Sequence, residues 1–179
     1  MFSKYFKPPL YKFERLLWMV VYLLFFRPFA GKIFSFWRNF LLSIFGAKIG
    51  KKSGVYSTAR IWLPRNLQLG SNSWIGPNVN CYNVTKIELG DNVTISQNTH
   101  LCSASHEYES KDFDLIYKPI IIEDNVWVGA DSFISMGVTL QSNCVVGARS
   151  VVVKTVSKDQ IVGGNPARLL KFRKCYANN

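Results

Sequence analysis

Acidic residues are scarce in the first half of this chain. Between Met1 and Ile87 Glu14 is the only one, against thirteen lysines and arginines; over all 179 residues 22 basic side chains face 11 acidic ones. A net charge of +11 so distributed points to a polyanionic partner: nucleic acid, acidic lipid headgroups or a phosphorylated ligand. Histidine is rarer still. His100 and His106 are the only two, one short of the three that a β-helical zinc centre normally uses. The four cysteines, Cys81, Cys102, Cys144 and Cys175, include no CxxC pair. That argues against a disulfide-stapled scaffold and fits a reduced, cytoplasmic setting. Long apolar runs are missing as well: "LLWMVVYLLFF" (Leu16 to Phe26) stops after eleven residues, where a spanning helix needs about 20. With 48% hydrophobic and 15% aromatic residues, the chain has ample material for a packed core, which excludes disorder.

Residues 1–46 read as a helical, interfacial segment. Lys4, Lys7, Lys12 and Arg15 precede the apolar run, as in a signal peptide, but Arg27 and Pro28 follow at once and suit a cleavage region poorly. In "KIFSFWRNFLLSIF", Ile33, Phe36, Trp37, Phe40 and Ile44 share one helical face, and Arg38 and Asn39 lie off it. Three readings stay open here: helices packed on the domain end, a membrane-surface element, or a cleaved signal.

From residue 47 to 168 the chain is an internal repeat. Aliphatic residues return every six positions in "LGDNVT", "ISQNTH", "LCSASH", "IEDNVW", "VGADSF", "ISMGVT", "LQSNCV" and "VGARSV". The leads are Leu89, Ile95, Leu101, Ile122, Val128, Ile134, Leu140, Val146 and Val152. The fifth positions (Val93, Thr99, Ser105, Val126, Ser132, Val138, Cys144, Ser150) are small or β-branched. Three hexads make one triangular coil, and a two-residue slip sets Ile49, Leu69 and Leu89 twenty apart. The spacing predicts an all-β parallel β-helix of about five coils, led by Ile49, Leu69, Leu89, Ile122 and Leu140. Coils about 4.8 Å apart stack into a prism of roughly 24 Å. Only the two end coils leave backbone edges to cover. The N-terminal helices and "NPARLLKFRK" are natural caps, with residues 169–179 as a basic tail.

The pieces "WRNFLLSIFGAKIG", "SHEY", "VWVGADSFISMGVTL", "VVGARSVVVK" and "GGNPAR" resemble the hexapeptide-repeat acyltransferases, most closely the colanic acid biosynthesis acetyltransferases of bacterial exopolysaccharide pathways. The resemblance runs from about Trp37 to Arg168. It implies a left-handed winding, a homotrimer, acetyl-CoA as acyl donor, no metal, and a sugar or lipid-linked saccharide as acceptor. The enzyme is then expected in the cytoplasm, peripheral on the inner face of the membrane if the helices bind there.

By the same resemblance, His106 is the general base, rooted at the break in the repeat where residues 107–118 form a protruding loop. An imidazole, with an ordinary pKa of about 6.5, suits proton removal from a sugar hydroxyl. Glu107 would orient it. Trp127, Gly129 and Ala130 match the segment lining the pantetheine arm, with the Ala130 N–H toward the thioester oxygen. Ala148, Val153 and Lys154 match positions further along the donor, Arg168 and Lys171 those near its phosphate, and Asn83 an acceptor-binding asparagine. His100 has no match and reads as structural. Four rivals are weighed against this: a Cys102 acyl-enzyme, nucleic-acid binding, a non-catalytic β-helical scaffold, and transfer to serine, an antibiotic or a nucleotide amino sugar.

Overall fold

The lead residues line up as their spacing predicts. In the computed structural model, which describes residues 9–174, Ile49, Leu69, Leu89, Ile122 and Leu140 are register partners in one parallel sheet, the first wall. Val55, Ile75, Ile95, Val128, Val146 and Val162 stack in the second. Ile61, Cys81, Leu101, Ile134 and Val152 stack in the third. All of these side chains except Ile49 are buried. Five coils are complete, and a sixth begins: Val156 bridges Leu140, and Val162 extends the second wall. Lys4, Lys7 and Cys175 lie outside the described residues.

The corners explain the small fifth positions and the recurrent asparagines. Val93, Thr99, Val126, Ser132, Val138, Cys144 and Ser150 are all buried, where anything larger would crowd the leads. Asn72, Asn92, Asn125 and Asn143 adopt φ of 56–63° at the corner entering the second wall, a left-handed conformation that asparagine tolerates better than most residues. Asn72 donates from Nδ2 to Asn92 Oδ1 at 2.8 Å, so adjacent coils are also tied along this corner.

The slack in the repeat lies between the third and first walls. Ile61 to Leu69 and Cys81 to Leu89 each span eight residues rather than six. At that corner of the third coil the chain leaves the solenoid as an antiparallel hairpin, Ala104–His106 against Leu115–Tyr117. The projection therefore starts three residues before the expected 107–118. Ser105, expected inside as a fifth position, is exposed because its strand has already left the coil.

The two ends are closed differently. Along the walls, N–H groups point to the following coil: Gly54 to Ser73, Tyr56 to Ile75 and Trp62 to Cys81, each at 3.0 Å. The carbonyls of Ser53, Val55 and Ile61 point the other way, to the N-terminal end, where there is no coil to pair them. Side chains of helix α1 (Pro9–Val21, continued by the π-helical turn Tyr22–Phe26) and helix α2 (Ser35–Ile44) take that place. Trp18 Nε1 donates to Ile61 C=O at 2.8 Å, Arg38 Nε to Val55 C=O at 2.9 Å, and Asn39 Nδ2 to Ser53 C=O at 2.8 Å. Arg38 also donates to Phe29 C=O (2.6 Å) and Gly31 C=O (3.0 Å), and burial lowers its pKa. At the C-terminal end Arg168–Phe172 folds back antiparallel on Gln160–Gly163. The first four residues of what reads as a basic tail from residue 169 are thus part of an edge strand.

This arrangement turns α2 over. Arg38, Leu41 and Leu42 are buried, whereas of the apolar face in the sequence Ile33, Phe36, Phe40 and Ile44 are exposed and only Trp37 packs partly against the core. Arg38→Met keeps the aliphatic bulk but leaves three carbonyls without their donor. At about 1–3 kcal/mol for a buried group left unpaired, the variant is expected to lose roughly 3 kcal/mol of stability, read as a lower urea midpoint with an unchanged slope.

Candidate active site

His106 ends the first strand of the hairpin and pairs with Leu115. Its Nδ1 lies 2.8 Å from the carbonyl oxygen of Phe113, and the two rings stack at 4.4 Å with 8° between their planes. A carbonyl can only accept, so Nδ1 carries the hydrogen of the neutral ring and Nε2 keeps its lone pair. The imidazole is exposed, presenting that nitrogen to whatever occupies the cleft. Glu107, expected to orient the ring, makes no hydrogen bond to it; its backbone N–H goes to Asp114 C=O at 2.8 Å. The orienting group is the Phe113 carbonyl, which no short motif in the sequence marks.

The other expected residues fall into two groups. Trp127 stands exposed on the second wall, its Nε1 donating to Ser96 Oγ at 3.0 Å. Gly129 and Ala130 turn the corner from the second to the third wall on the fourth coil, and Ala148 turns it on the fifth. Coil stacking alone requires a glycine at 129, since a Cβ there would come within 2.6 Å of the Ala148 nitrogen. Arg168 follows at the top of this corner, opposite Gly163, and Lys171 pairs with Ile161. Val153 and Lys154 leave the third wall at its far end, the corner from which the hairpin projects two coils below. One chain therefore carries His106, Val153 and Lys154 at one corner and Gly129, Ala130, Ala148 and Arg168 at another. A wall and its turns separate them by roughly 15–20 Å, far beyond the reach of a proton transfer.

Of two further positions, only Asn83 changes its meaning. Asn83 is fully buried, and its amide spans Leu63: Oδ1 accepts the Leu63 N–H at 3.0 Å and Nδ2 donates to the Leu63 carbonyl at 2.7 Å. Both of its ends are used inside the long corner, which leaves none for an acceptor. His100 packs edge-on against Phe133 at 5.3 Å, and burial lowers its pKa. Sequence reasoning also passed over a groove of about 310 Å³ on the second wall, lined by Tyr56, Trp74, Thr94, Ser96 and Gln97. It lies directly below Trp127, because Trp127 pairs with Thr94 and Thr94 with Trp74. The available signal was a tryptophan at the same outward position on the second and fourth coils, Trp74 and Trp127.

With this geometry in place, similarity to known proteins is informative. Residues 119–154 match the family described as hexapeptide repeat of succinyl-transferase. The putative colanic acid biosynthesis acetyltransferase WcaF of Escherichia coli (strain K12) is 40% identical over 137 residues, covering 76% of this chain and 75% of that one. The chain belongs to the hexapeptide-repeat acetyltransferases. Within that family, a maltose O-acetyltransferase from Clostridium difficile 630 superposes with a TM-score of 0.83 at 28% identity, over 93% of this chain and 90% of that one. The acetyltransferase VCA0836 from Vibrio cholerae, complexed with acetyl coenzyme A, superposes with a TM-score of 0.81 at 30% identity, over 91% and 88%.

Cys102 is placed against a nucleophilic role. Its Sγ lies 3.1 Å from the Ala104 carbonyl, and burial raises its pKa. A thiol with a raised pKa holds little thiolate at neutral pH and gains it only as pH climbs through that value. Iodoacetamide labelling of Cys102, followed by peptide mass spectrometry, is expected to be slow at neutral pH and still rising at about pH 9.

Proposed function

We propose that the chain transfers an acetyl group from acetyl-CoA to a hydroxyl of a polysaccharide or lipid-linked sugar, by direct transfer in a ternary complex with His106 as general base. The observation that carries this reading is the fixed tautomer: Phe113 C=O holds the Nδ1 hydrogen, so Nε2 is the free base. The donor supplies an activated acetyl as its thioester. Nε2 takes the proton of the attacking hydroxyl and returns it to the departing sulfur. The Ala130 N–H, which makes no hydrogen bond within the described residues, faces the carbonyl oxygen on which negative charge develops.

The order of residues along the prism supports the placement of the donor. Ala130 lies on the fourth coil, Ala148 on the fifth and Arg168 beside the sixth, so the track from thioester to phosphate covers about 10 Å of coil stacking. Exposed Arg168 and Lys171 flank its upper end, and exposed Lys154, at the corner that carries His106, joins them from the next subunit; all three suit an anion. Below Trp127, the groove of Tyr56 and Trp74 offers aromatic faces to a sugar ring, and Thr94, Ser96 and Gln97 offer polar groups to its hydroxyls. Maltose, the acceptor named for one structural neighbour, is likewise a sugar.

Because the two halves of the site lie at different corners, the reading needs a second copy: His106 of one subunit faces Ala130 of the next around a trimer. His106→Ala is expected to lower acetylation by about 10²–10⁴ with the fold and trimer intact; wild-type turnover in a thiol-release assay would remove it from the mechanism. Mixing His106→Ala with Ala130→Arg chains in equal amounts regenerates a competent pair at about one quarter of the interfaces of a random cyclic trimer. That fraction of wild-type activity is expected after subunit exchange, and none if each chain holds a whole site. Lys154→Ala and Arg168→Ala should each weaken acetyl-CoA about tenfold or more, and affect a donor lacking the 3′-phosphate much less.

A further inference from the structure

The helices that close the first coil turn their apolar side outward. In α1 and its π-helical turn, Trp18, Tyr22 and Phe26 follow one another at four-residue spacing and pack inward, with ring centroids 6.2 and 5.6 Å apart. Other apolar residues of the same segment, including Leu16, Met19, Leu23 and Leu24, are exposed. α2 and the turn before it repeat the pattern, with Ile33 at 85% and Phe36 at 80% exposure. Exposed apolar side chains are ordinarily scattered singly, and a concentration of them marks a surface that meets something apolar.

Charge decides what that is. Lys12, Arg27 and Lys32 are exposed on the same segment, and Lys48, Lys51 and Lys52 on the coil it closes. Glu14, the one acidic residue of this region, is taken by Arg65 at 2.8 Å. Two copies laid together through this face would set cations against cations, whereas an anionic bilayer would meet them with phosphates. No helix among the described residues is long and apolar enough to cross a membrane, so the face would lie along the headgroup boundary.

We propose that the outward face of α1 and α2 is a docking surface for an anionic lipid bilayer, with the apolar side chains among the acyl chains and Lys12, Arg27 and Lys32 at the headgroup phosphates. Lys32 also lines the lower end of the groove beneath Trp127. The groove thus opens toward the bilayer, where a saccharide tethered to lipid would enter it. Docking stands without the acceptor assignment; only this last link rests on it.

The test is sedimentation of the full chain with phosphatidylcholine vesicles that contain or lack phosphatidylglycerol. Binding is expected to the anionic vesicles, weakening with salt and by about fivefold on Lys12→Ser. Leu24→Gln combined with Phe36→Gln should lower it at least about tenfold with an unchanged thermal midpoint; Ile33→Gln is the second variant if that midpoint falls. Wild-type protein left in the supernatant with both vesicle types overturns the proposal, as do variants that sediment like wild type. A smaller particle in light scattering for the double variant would also overturn it, by showing that a second copy covers the face. Acetylation of a soluble acceptor, expected to be unchanged in that variant, separates failure of docking from failure of the acceptor reading.

Discussion

Each edge of a parallel coil carries N–H and C=O groups that need partners, and whatever ends a stack of coils must supply them. At the N-terminal end the carbonyls of Ser53, Val55 and Ile61 need donors. An apolar helix face could bury area there but could not bond Ser53, Val55 and Ile61, so the buried side of the cap holds Asn39, Arg38 and Trp18. The guanidinium does most, bridging the coil to the Phe29–Gly31 turn through three carbonyls. Once the inward positions are committed to donors, the apolar residues of the same helix have only the outward side left. The inverted polarity of α2 is thus a consequence of how the solenoid ends.

The same stacking creates the candidate site. Register partners repeat at every coil, so a corner is a column of equivalent positions rather than a single loop. Small residues at successive levels, Gly129 with Ala130 and then Ala148, keep one column free of bulky side chains without disturbing the walls. The corner between the third and first walls already has longer turns on the first two coils, so the chain can leave and rejoin there without shifting any lead. Leu89 and Ile122 remain partners across the hairpin between them.

How much of this could be read from residues alone follows from the distance over which each signal acts. The period of six, the spacing of twenty and the resumption at Ile122 are local, and they fixed the register of the first wall before any coordinates. The asparagines at 72, 92, 125 and 143 were equally visible as a column of left-handed corners. Periodicity also found the apolar face of α2, but it says nothing about which side the rest of the protein occupies; that depended on carbonyls seventeen residues away in the case of Arg38 and Val55. Asn83 failed for a related reason. A surface asparagine and one bonded across a coil to Leu63 look alike in sequence, because the partner that buries it lies twenty residues away.

The root of the hairpin shows what a regular repeat cannot do and why it is interrupted. Every corner of the solenoid is shaped by the coil beside it, which leaves no freedom to set the plane of an imidazole. The hairpin adds that freedom. Phe113 adopts φ of 47°, uncommon for a bulky residue and costing of order 1–3 kcal/mol. In that conformation its carbonyl reaches His106 Nδ1 while its ring lies flat on the imidazole. One residue thereby fixes both the tautomer and the tilt of the ring, and the stacking contact offsets part of the backbone cost. Glu107 could have supplied a hydrogen-bond acceptor but not the stacking surface.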